Sequence, residues 1–295
     1  MNVLSLFDGM SCGQIAFEKI GITFDGVKNK YFASEIKKHA IECTKENYPN
    51  TIHIGDVTKI KASDLPPIDI LIGGSPCQDF SAANKVRKGL QGQKSSLFFE
   101  YLRLLKECNP KYFLLENVIM DKTQQAIIDD LLNITPVRIN GNLVSAANRD
   151  RLFWTNISYY EDLFGMKHCN IPQPENKNIL LKDIITNGYV NIDKANGLKT
   201  HHGFNEDKNG YIYKNFEMVK KRYENMGMEN IVFDSSDFDY HKGIRHFNKT
   251  ELERLHNIPE GYTKSLSRKK AHDLIGDGWT VDVIVHILSQ KNLFK

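Results

Sequence analysis

This chain of 295 residues contains no long hydrophobic run and no basic N-terminal segment. The opening residues 1–8 carry no basic side chain, and their apolar part is too short for a signal peptide. No segment has the roughly 20 apolar residues that a membrane-spanning helix needs. These absences favour a cytoplasmic protein. The hydrophobic share of 41% and the charged share of 25% are ordinary for a globular chain.

Closely spaced or paired cysteines are also missing. The five cysteines are Cys12, Cys43, Cys77, Cys108 and Cys169, and no two of them form a Cys-x-x-Cys pair. An odd number at wide spacing disfavours both a zinc site and a disulfide framework, so no metal is predicted. The pattern indicates a reducing compartment.

The net charge is only +3, so overall electrostatics neither demands nor excludes a polyanionic partner. Only a local basic patch can argue for one. The chain also lacks the Gly-x-Gly-x-x-Gly fingerprint of dinucleotide-binding folds, which disfavours a nicotinamide-dependent oxidoreductase.

The first part of the chain alternates short apolar runs with amphipathic segments. Strands are predicted at 3–7, 31–34, 51–55, 68–72, 112–115 and 151–157, and helices at 14–20, 36–47, 96–108 and 124–132. Such alternation is typical of an α/β fold with a parallel sheet and helices on both faces. Residues 165–245 are rich in Asn, Gly and Lys and show little periodicity, whereas helical patterning returns at 249–257 and 281–288.

One cysteine follows a predicted strand directly. The run Gly74-Ser75-Pro76-Cys77-Gln78 comes after Ile68–Gly73, so Cys77 lies at the carboxyl end of a strand, where open α/β sheets bind ligands. The proline stiffens the turn and the glycines permit close approach, which suits a nucleophilic thiolate. A buried structural cysteine is the alternative, and it is the better one for a lone cysteine. The other motifs reverse that judgement.

A second candidate site follows the first strand. The turn Phe7-Asp8-Gly9-Met10-Ser11 leads into a helix whose N–H groups can hold a ligand carboxylate. Glu35 ends the second strand and can bind ribose hydroxyls, and Asp56 ends the third and can accept from an adenine amino group. Each acid is as readily a helix cap. Together, three such groups at successive strand ends favour a nucleoside cofactor.

These motifs resemble the DNA (cytosine-5)-methyltransferase family, which uses S-adenosylmethionine. The resemblance covers nearly the whole chain, and some stretches are most similar to the animal de novo subfamily. Its motifs, in the family's order, are Phe7–Gly13, Gly73–Ser81, Glu116-Asn117-Val118, Asn148–Arg151, Glu253-Arg254-Leu255 and Gly276–Val281. That subfamily's chromatin-reading regions are not in this sequence, so we expect a bacterial or phage enzyme in a bacterial host cell.

The resemblance implies a Rossmann-like, doubly wound S-adenosylmethionine-dependent methyltransferase fold with a small irregular target-recognition domain. Residues 1–164 would form the catalytic and cofactor-binding domain, and 165–245 the target-recognition region. Residues 246–295 would pack back on the catalytic domain.

The resemblance also assigns chemistry. Cys77 would add to carbon 6 of a flipped-out cytosine, and Glu116 would donate to ring nitrogen 3. Arg149 and Arg151, two apart on an extended segment, would grip the cytosine carbonyl and a phosphate. Asn117 would orient the base or brace the Cys77 loop. The alternatives are a helix-capping Glu116 and a solvated strand with paired arginines.

The remaining implied contacts concern cofactor and DNA. The S-adenosylmethionine site would comprise Phe7, Asp8, Gly9, Met10, Ser11, Cys12, Glu35, Ile36, Asp56, Val57, Gly74, Pro76, Asp277, Gly278 and Trp279. Double-stranded DNA would be contacted by Gln78, Ser81, Lys85, Arg87, Lys88 and Arg245. A related branch methylates transfer RNA, but its Cys-Phe-Thr signature is absent here, which favours DNA. A non-catalytic partner is disfavoured because the nucleophile and cofactor motifs are kept.

Overall fold

The computed structural model describes residues 1–75, 96–198, 212–214 and 244–290. They form two compact units. The first comprises residues 1–140, 150–174 and 283 onwards, and the second comprises 141–149 and 175–282. The predicted borders were 164/165 and 245/246, whereas residues 165–174 belong to the first unit and residues 246–282 to the second. The predicted division into catalytic and recognition segments concerns function and stays a prediction.

Short strands recur through both units. In chain order they are β1 (Asn2–Leu6), β2 (Lys30–Ser34), β3 (Ile52–His53), β4 (Ile70–Gly74), β5 (Tyr112–Val118), β6 (Ile134–Thr135), β7 (Val137–Asn140), β8 (Ala147–Asn148), β9 (Asp150–Thr155), β10 (Tyr159–Glu161), β11 (Lys167–Cys169), β12 (Tyr189–Val190), β13 (Ala195–Asn196), β14 (Ile212–Tyr213) and β15 (Ile244–Arg245).

Within the described residues the helices are α1 (Cys12–Lys19), α2 (Lys38–Asn47), α3 (Ser96–Cys108), α4 (Lys122–Leu132), α5 (Lys249–Leu255), α6 (Arg268–Asp277) and α7 (Val281–Leu288). Six of them confirm predicted helices. Helix α6 was not predicted, although Ser267 accepts from the Lys270 N–H as its N-cap and Ala271, Leu274 and Ile275 form a buried stripe. None of the helices within the described residues is long and apolar enough to cross a membrane.

The first unit is built on a seven-stranded sheet with the order β3-β2-β1-β4-β5-β9-β7. Strands β1 to β5 are parallel, as predicted. Strand β9 runs antiparallel to both β5 and β7, so the prediction of a parallel sheet is wrong there. The physical reason is the connection: only nine residues, 141–149, join β7 to β9, too few for the crossover that parallel neighbours require.

Helices cover both faces of this sheet, as predicted. On one face Leu4 and Leu6 of β1 join the core formed with Phe98 and Tyr101 of α3. On the other face α1 comes so close that a Cβ at Gly13 would lie 2.6 Å from the Ile72 side chain. Alternate residues of a strand face opposite sides, so β1 can serve both layers.

The strand order reverses between β1 and β4. Strands β2 and β3 lie on one side of β1, and β4 and β5 lie on the other. In open α/β sheets such a reversal of strand order marks the place, at the carboxyl ends of the strands, where ligands bind. Both candidate sites from the sequence follow these two strands.

The second unit contains two small sheets and the helices α5 and α6. One sheet has the order β12-β14-β15, and the other pairs β13 with β8. In the first unit, a further sheet has the order β10-β11-β6.

Candidate active site

The turn after β1 has an unusual backbone. Phe7, Gly9 and Ser11 all adopt the left-handed conformation, with φ of 57°, 59° and 62°. This region is costly for a bulky residue such as phenylalanine, so the surrounding contacts must hold it there. A Cβ at Gly9 would meet no atom within 4 Å, so open space lies over the turn.

The Asp8 carboxylate lies at the centre of this turn. Its Oδ1 accepts from Ser5 Oγ at 2.6 Å and from Tyr31 Oη at 2.8 Å, and its Oδ2 accepts from Ser11 Oγ. Loss of hydration on burial outweighs these bonds and raises the pKa of Asp8 to about 6. Both oxygens are thus engaged within the protein, so the side chain shapes the turn.

Glu35 follows β2 and meets the same turn. Its Oε2 accepts from the Gly9 N–H at 2.8 Å, and its Oε1 accepts from the N–H groups of Ile36 and Lys37, each at 2.8 Å. The carboxylate therefore caps the backbone that leads into α2. Because Oε2 accepts one hydrogen bond from the described residues, it retains a lone pair for a ligand hydroxyl.

Asp56 lies in the loop that follows β3. It caps a short helical turn, residues 57–59, with Oδ1 accepting from the Thr58 N–H at 3.0 Å and the Thr58 hydroxyl at 2.9 Å. These bonds lower the pKa of Asp56 below its ordinary value. The capping alternative is thus realised at Asp56, whereas α2 has no side-chain cap and Glu35 binds the N–H groups that precede it.

The residues present fit a nucleoside cofactor with an amino-acid tail. Ser34 Oγ donates to the Gly55 carbonyl at 2.8 Å, so the loops after β2 and β3 lie side by side. Ile36 beside Glu35 is 71% exposed, which offers an apolar surface to a base. The carboxylates of Glu35 and Asp56 can accept from hydroxyl and amino groups, and the Ile36 side chain is apolar. Together with the open turn at Gly9 they follow the carboxyl ends of neighbouring strands of the sheet. Met10, Cys12 and Val57 are buried, and Gly74 is partly exposed.

Glu116 and Arg151 form the second part of the site. Strand β5 continues to Val118, so Glu116 lies within the strand and not at its end as predicted. In the parallel pairing of β5 with β4, Glu116 lies opposite Gly74. Arg151 Nε lies 2.8 Å from Glu116 Oε1, and both side chains are largely buried. No described residue accepts a hydrogen bond from Arg151 Nη2, so that group can still bind a ligand carbonyl.

Asn117 supports the residue that precedes the predicted nucleophile loop. It is buried, and its Nδ2 donates to Ser75 Oγ at 3.0 Å while its Oδ1 accepts from the Val118 N–H at 2.8 Å. Of the two roles considered for Asn117, this contact favours the brace.

The two arginines of the Asn148–Arg151 motif have different environments. The extended segment predicted to carry both is interrupted, because β8 ends at Asn148 and β9 begins at Asp150. Arg149 lies in the second unit, is 6% exposed and donates from Nη1 to the Gly276 carbonyl at 3.0 Å. Arg151 contacts the predicted acid. The catalytic assignment of Arg149 stays a prediction, and its observed contact is structural.

The internal contacts of Arg245 argue against its predicted role as a DNA contact. Arg245 is 6% exposed and forms a two-point ion pair with Glu251, from Nη1 and Nη2 at 2.7 Å each. Its Nε and Nη2 also donate to Asn187, and its Nη1 to the His246 carbonyl. All five N–H donors are therefore engaged inside the second unit, and none is left for a phosphate.

Several predicted site residues lie outside the described residues. These are Pro76, Cys77, Gln78, Ser81, Lys85, Arg87 and Lys88. Asp277, Gly278 and Trp279 lie at the end of α6 in the second unit, and their contact with the cofactor stays a prediction. Among the described residues, no cluster of three or more His, Cys, Asp or Glu side chains could hold a metal ion.

The fold and the site define a class of protein. A DNMT2 protein of Spodoptera frugiperda has a similar structure, with a TM-score of 0.68 at 18% identity, over 100% of this chain and 99% of that chain. The Rossmann-like fold of the S-adenosylmethionine-dependent methyltransferases, expected from the sequence, is thereby confirmed.

Sequence comparison gives the family. The model described as C-5 cytosine-specific DNA methylase matches residues 1–134. The type II methyltransferase M1.ScrFI of Lactococcus lactis subsp. cremoris is 30% identical over 319 positions, which cover 99% of this chain and 78% of that protein. The chain belongs to the family of C-5 cytosine-specific DNA methylases, whose methyl donor is S-adenosylmethionine.

A shorter match of higher identity concerns a phage protein. The orphan methyltransferase M.Rho11sI of Bacillus phage rho11s is 42% identical over 120 residues, which are 40% of this chain and 23% of that protein. The chain thus matches about a quarter of the length of that relative.

Proposed function

We propose that this protein methylates carbon 5 of cytosine within a short sequence of double-stranded DNA. The observation that carries the proposal is the contact of Arg151 with Glu116, directly beside Gly74 in the sheet. Gly74 lies three residues before Cys77, so the acid lies next to the start of the predicted nucleophile loop. Family membership supports the same reaction.

The proposed reaction starts from a poor nucleophile, carbon 5 of cytosine. The Cys77 thiolate adds to carbon 6, and the electron pair displaced from the double bond makes carbon 5 nucleophilic. Glu116 must carry a proton when the base enters, and it donates to ring nitrogen 3 as charge builds there. Arg151 binds the base carbonyl through Nη2 and holds Glu116 in place through Nε.

S-adenosylmethionine, when bound, supplies the methyl group. The turn at residues 7–12 and the Glu35 carboxylate hold the amino-acid tail and the ribose in this proposal, while Ile36 and Asp56 receive the adenine. The proton on carbon 5 then leaves to water, since no described side chain stands out as the base. Elimination of the Cys77 thiolate restores the aromatic ring.

Contacts with DNA are proposed for the segment after Cys77. Gln78, Ser81, Lys85, Arg87 and Lys88 supply polar and basic groups for the phosphates and the vacated base position. Base reading is proposed for residues 165–245, and the site read is left open. Relatives named as type II and orphan methyltransferases support a role in restriction-modification or phage DNA protection, in a bacterial cytoplasm.

A duplex containing 5-fluorocytosine at the target tests the mechanism directly. Fluorine cannot leave as a proton, so the enzyme is trapped on the base when S-adenosylmethionine is supplied. We expect a covalent complex with the unaltered protein and none with Cys77→Ser, while both bind the cofactor. Trapping by Cys77→Ser, or methylation of the ordinary duplex by that variant, would contradict the covalent route. Methylation of RNA but not of the duplex would contradict the proposed substrate.

A further inference from the structure

The turn at residues 7–11, here called the cofactor turn, is stabilised by a buried cluster of hydroxyl groups. The proposed binding of the cofactor does not use these hydroxyl groups directly. Ser5 on β1, Ser11 at the start of α1 and Tyr31 on β2 all donate to the single carboxylate of Asp8. The turn that they stabilise contains two non-glycine residues in the left-handed conformation, Phe7 and Ser11. A backbone of this kind persists only where contacts over-determine it.

Tyr31 makes the longest-range contact of this cluster. It is fully buried, and its ring lies 5.0 Å from that of Phe24 in an edge-on arrangement. Its hydroxyl reaches Asp8 through a narrow space, because a Cβ at Gly13 would lie only 2.5 Å from Tyr31 Oη. Burial and the neighbouring Asp8 charge raise the pKa of Tyr31 well above its ordinary value, so it stays a hydrogen-bond donor.

We propose that Tyr31 is a positioning residue of the cofactor turn, acting through the Asp8 carboxylate, and that this contact makes cofactor affinity depend on pH. The inference rests on the proposed cofactor role of the turn. An ionised Asp8 accepts from all three hydroxyls at once. A protonated Asp8 must donate its own proton, so at least one of the three donors has to turn away.

The direction of the pH dependence follows from the groups that face Asp8. These are Tyr31, which donates to it, Glu35, whose charge raises the Asp8 pKa, and the thiol of Cys12 beside Tyr31. The Asp8 pKa of about 6 means that the carboxylate ionises as the pH rises through that value. Cofactor affinity is therefore highest above about pH 7 and falls as the pH drops through about 6.

Tyr31→Phe removes one hydrogen-bond donor to the ionised Asp8 carboxylate, so it raises the Asp8 pKa. The fall in cofactor affinity at low pH, here called the acid limb, then moves to higher pH. The loss of one hydrogen bond to a charged group corresponds to a shift of about one pH unit. A shift of that size predicts about threefold weaker binding than the unaltered protein at about pH 6.5 and equal binding at about pH 8.5.

The experiment is calorimetric titration of the full chain with S-adenosylhomocysteine across this pH range. Ser5→Ala, which removes another donor without deleting a large side chain, should shift the limb in the same direction. Tyr101→Phe is the matched control, because Tyr101 is equally buried in the same unit and its hydroxyl has no hydrogen-bond partner within the described residues. Asp8→Asn should abolish the limb.

The outcomes separate this inference from the proposed function. No binding of S-adenosylhomocysteine by the unaltered protein at any pH would overturn the cofactor role itself. Binding whose acid limb does not move in Tyr31→Phe and Ser5→Ala would overturn the positioning role alone. An equal loss of affinity at every pH would also overturn it, because a merely structural tyrosine predicts that result.

Discussion

Arg245→Ala is predicted to destabilise the protein without weakening the DNA binding of the folded variant. The Arg245 and Glu251 side chains are 4% and 0% exposed, and Glu251 Oε1 and Oε2 each accept from the guanidinium. Removing the arginine leaves the Glu251 charge buried without its partner. Breaking a buried pair in this way costs about 3–5 kcal/mol of unfolding free energy, a large part of a total that is typically about 5–15.

Urea unfolding followed by fluorescence measures the loss of unfolding free energy. DNA binding by the folded variant, measured at low temperature, tests whether Arg245 contributes to DNA affinity. The matched control is Lys177→Ala, which removes a largely exposed partner of Asp282 in the same unit and should cost no more than about 1 kcal/mol. Glu251→Gln added to Arg245→Ala should recover part of the stability. Unchanged stability with weaker DNA binding and a shallower salt dependence would refute the structural role and restore the original assignment.

Three further predictions concern the first unit. Glu116→Gln should slow methyl transfer by about 10²- to 10⁴-fold, as expected for loss of a general acid, with cofactor affinity unchanged in a binding assay; wild-type rates would contradict that role. Gly13→Ala should cost about 1–3 kcal/mol in urea unfolding, because its new methyl group overlaps the Tyr31 hydroxyl; equal stability would mean that α1 shifts freely. Ser75→Ala removes the partner of the buried Asn117 amide and should cost about 1–3 kcal/mol, whereas unchanged stability and turnover would argue against the brace.

The strands and the cofactor turn were predictable because their signals are local. A short apolar run gives β1, apolar residues at helical spacing give α3, and the glycines and acids at the strand ends give the turn. The direction of β9 was not predictable in the same way. Its residues form a strand in either orientation, and the short connection from β7 decides between them.

The environment of each arginine was also not predictable from the sequence. Arg245 and Arg151 carry the same charge, yet one neutralises a buried acid in the second unit and the other contacts Glu116. One signal was present: Asn248 and Glu251 have the spacing of a capping box, and the structure forms it. That spacing locates the start of α5, but it does not say that the same glutamate is buried against an arginine.

The hydroxyl cluster under the cofactor turn illustrates a related limit. The sequence identifies Asp8 as part of a ligand-binding turn, and nothing local says that its carboxylate points at Tyr31, 23 residues away. The parallel pairing of β1 with β2 brings the two together. Long-range strand pairing therefore gives Asp8 an internal contact that its place in the sequence does not reveal.

The most direct test of the central claim is bisulfite sequencing of plasmid DNA from cells that express this chain, beside cells that express Cys77→Ala. The account predicts protected cytosines within one short sequence in the first sample and none in the second, which would establish the reaction and its target together. Unprotected cytosines in both samples, with the protein folded and binding S-adenosylhomocysteine, would contradict methylation of DNA. Transfer RNA would then be the next substrate to examine.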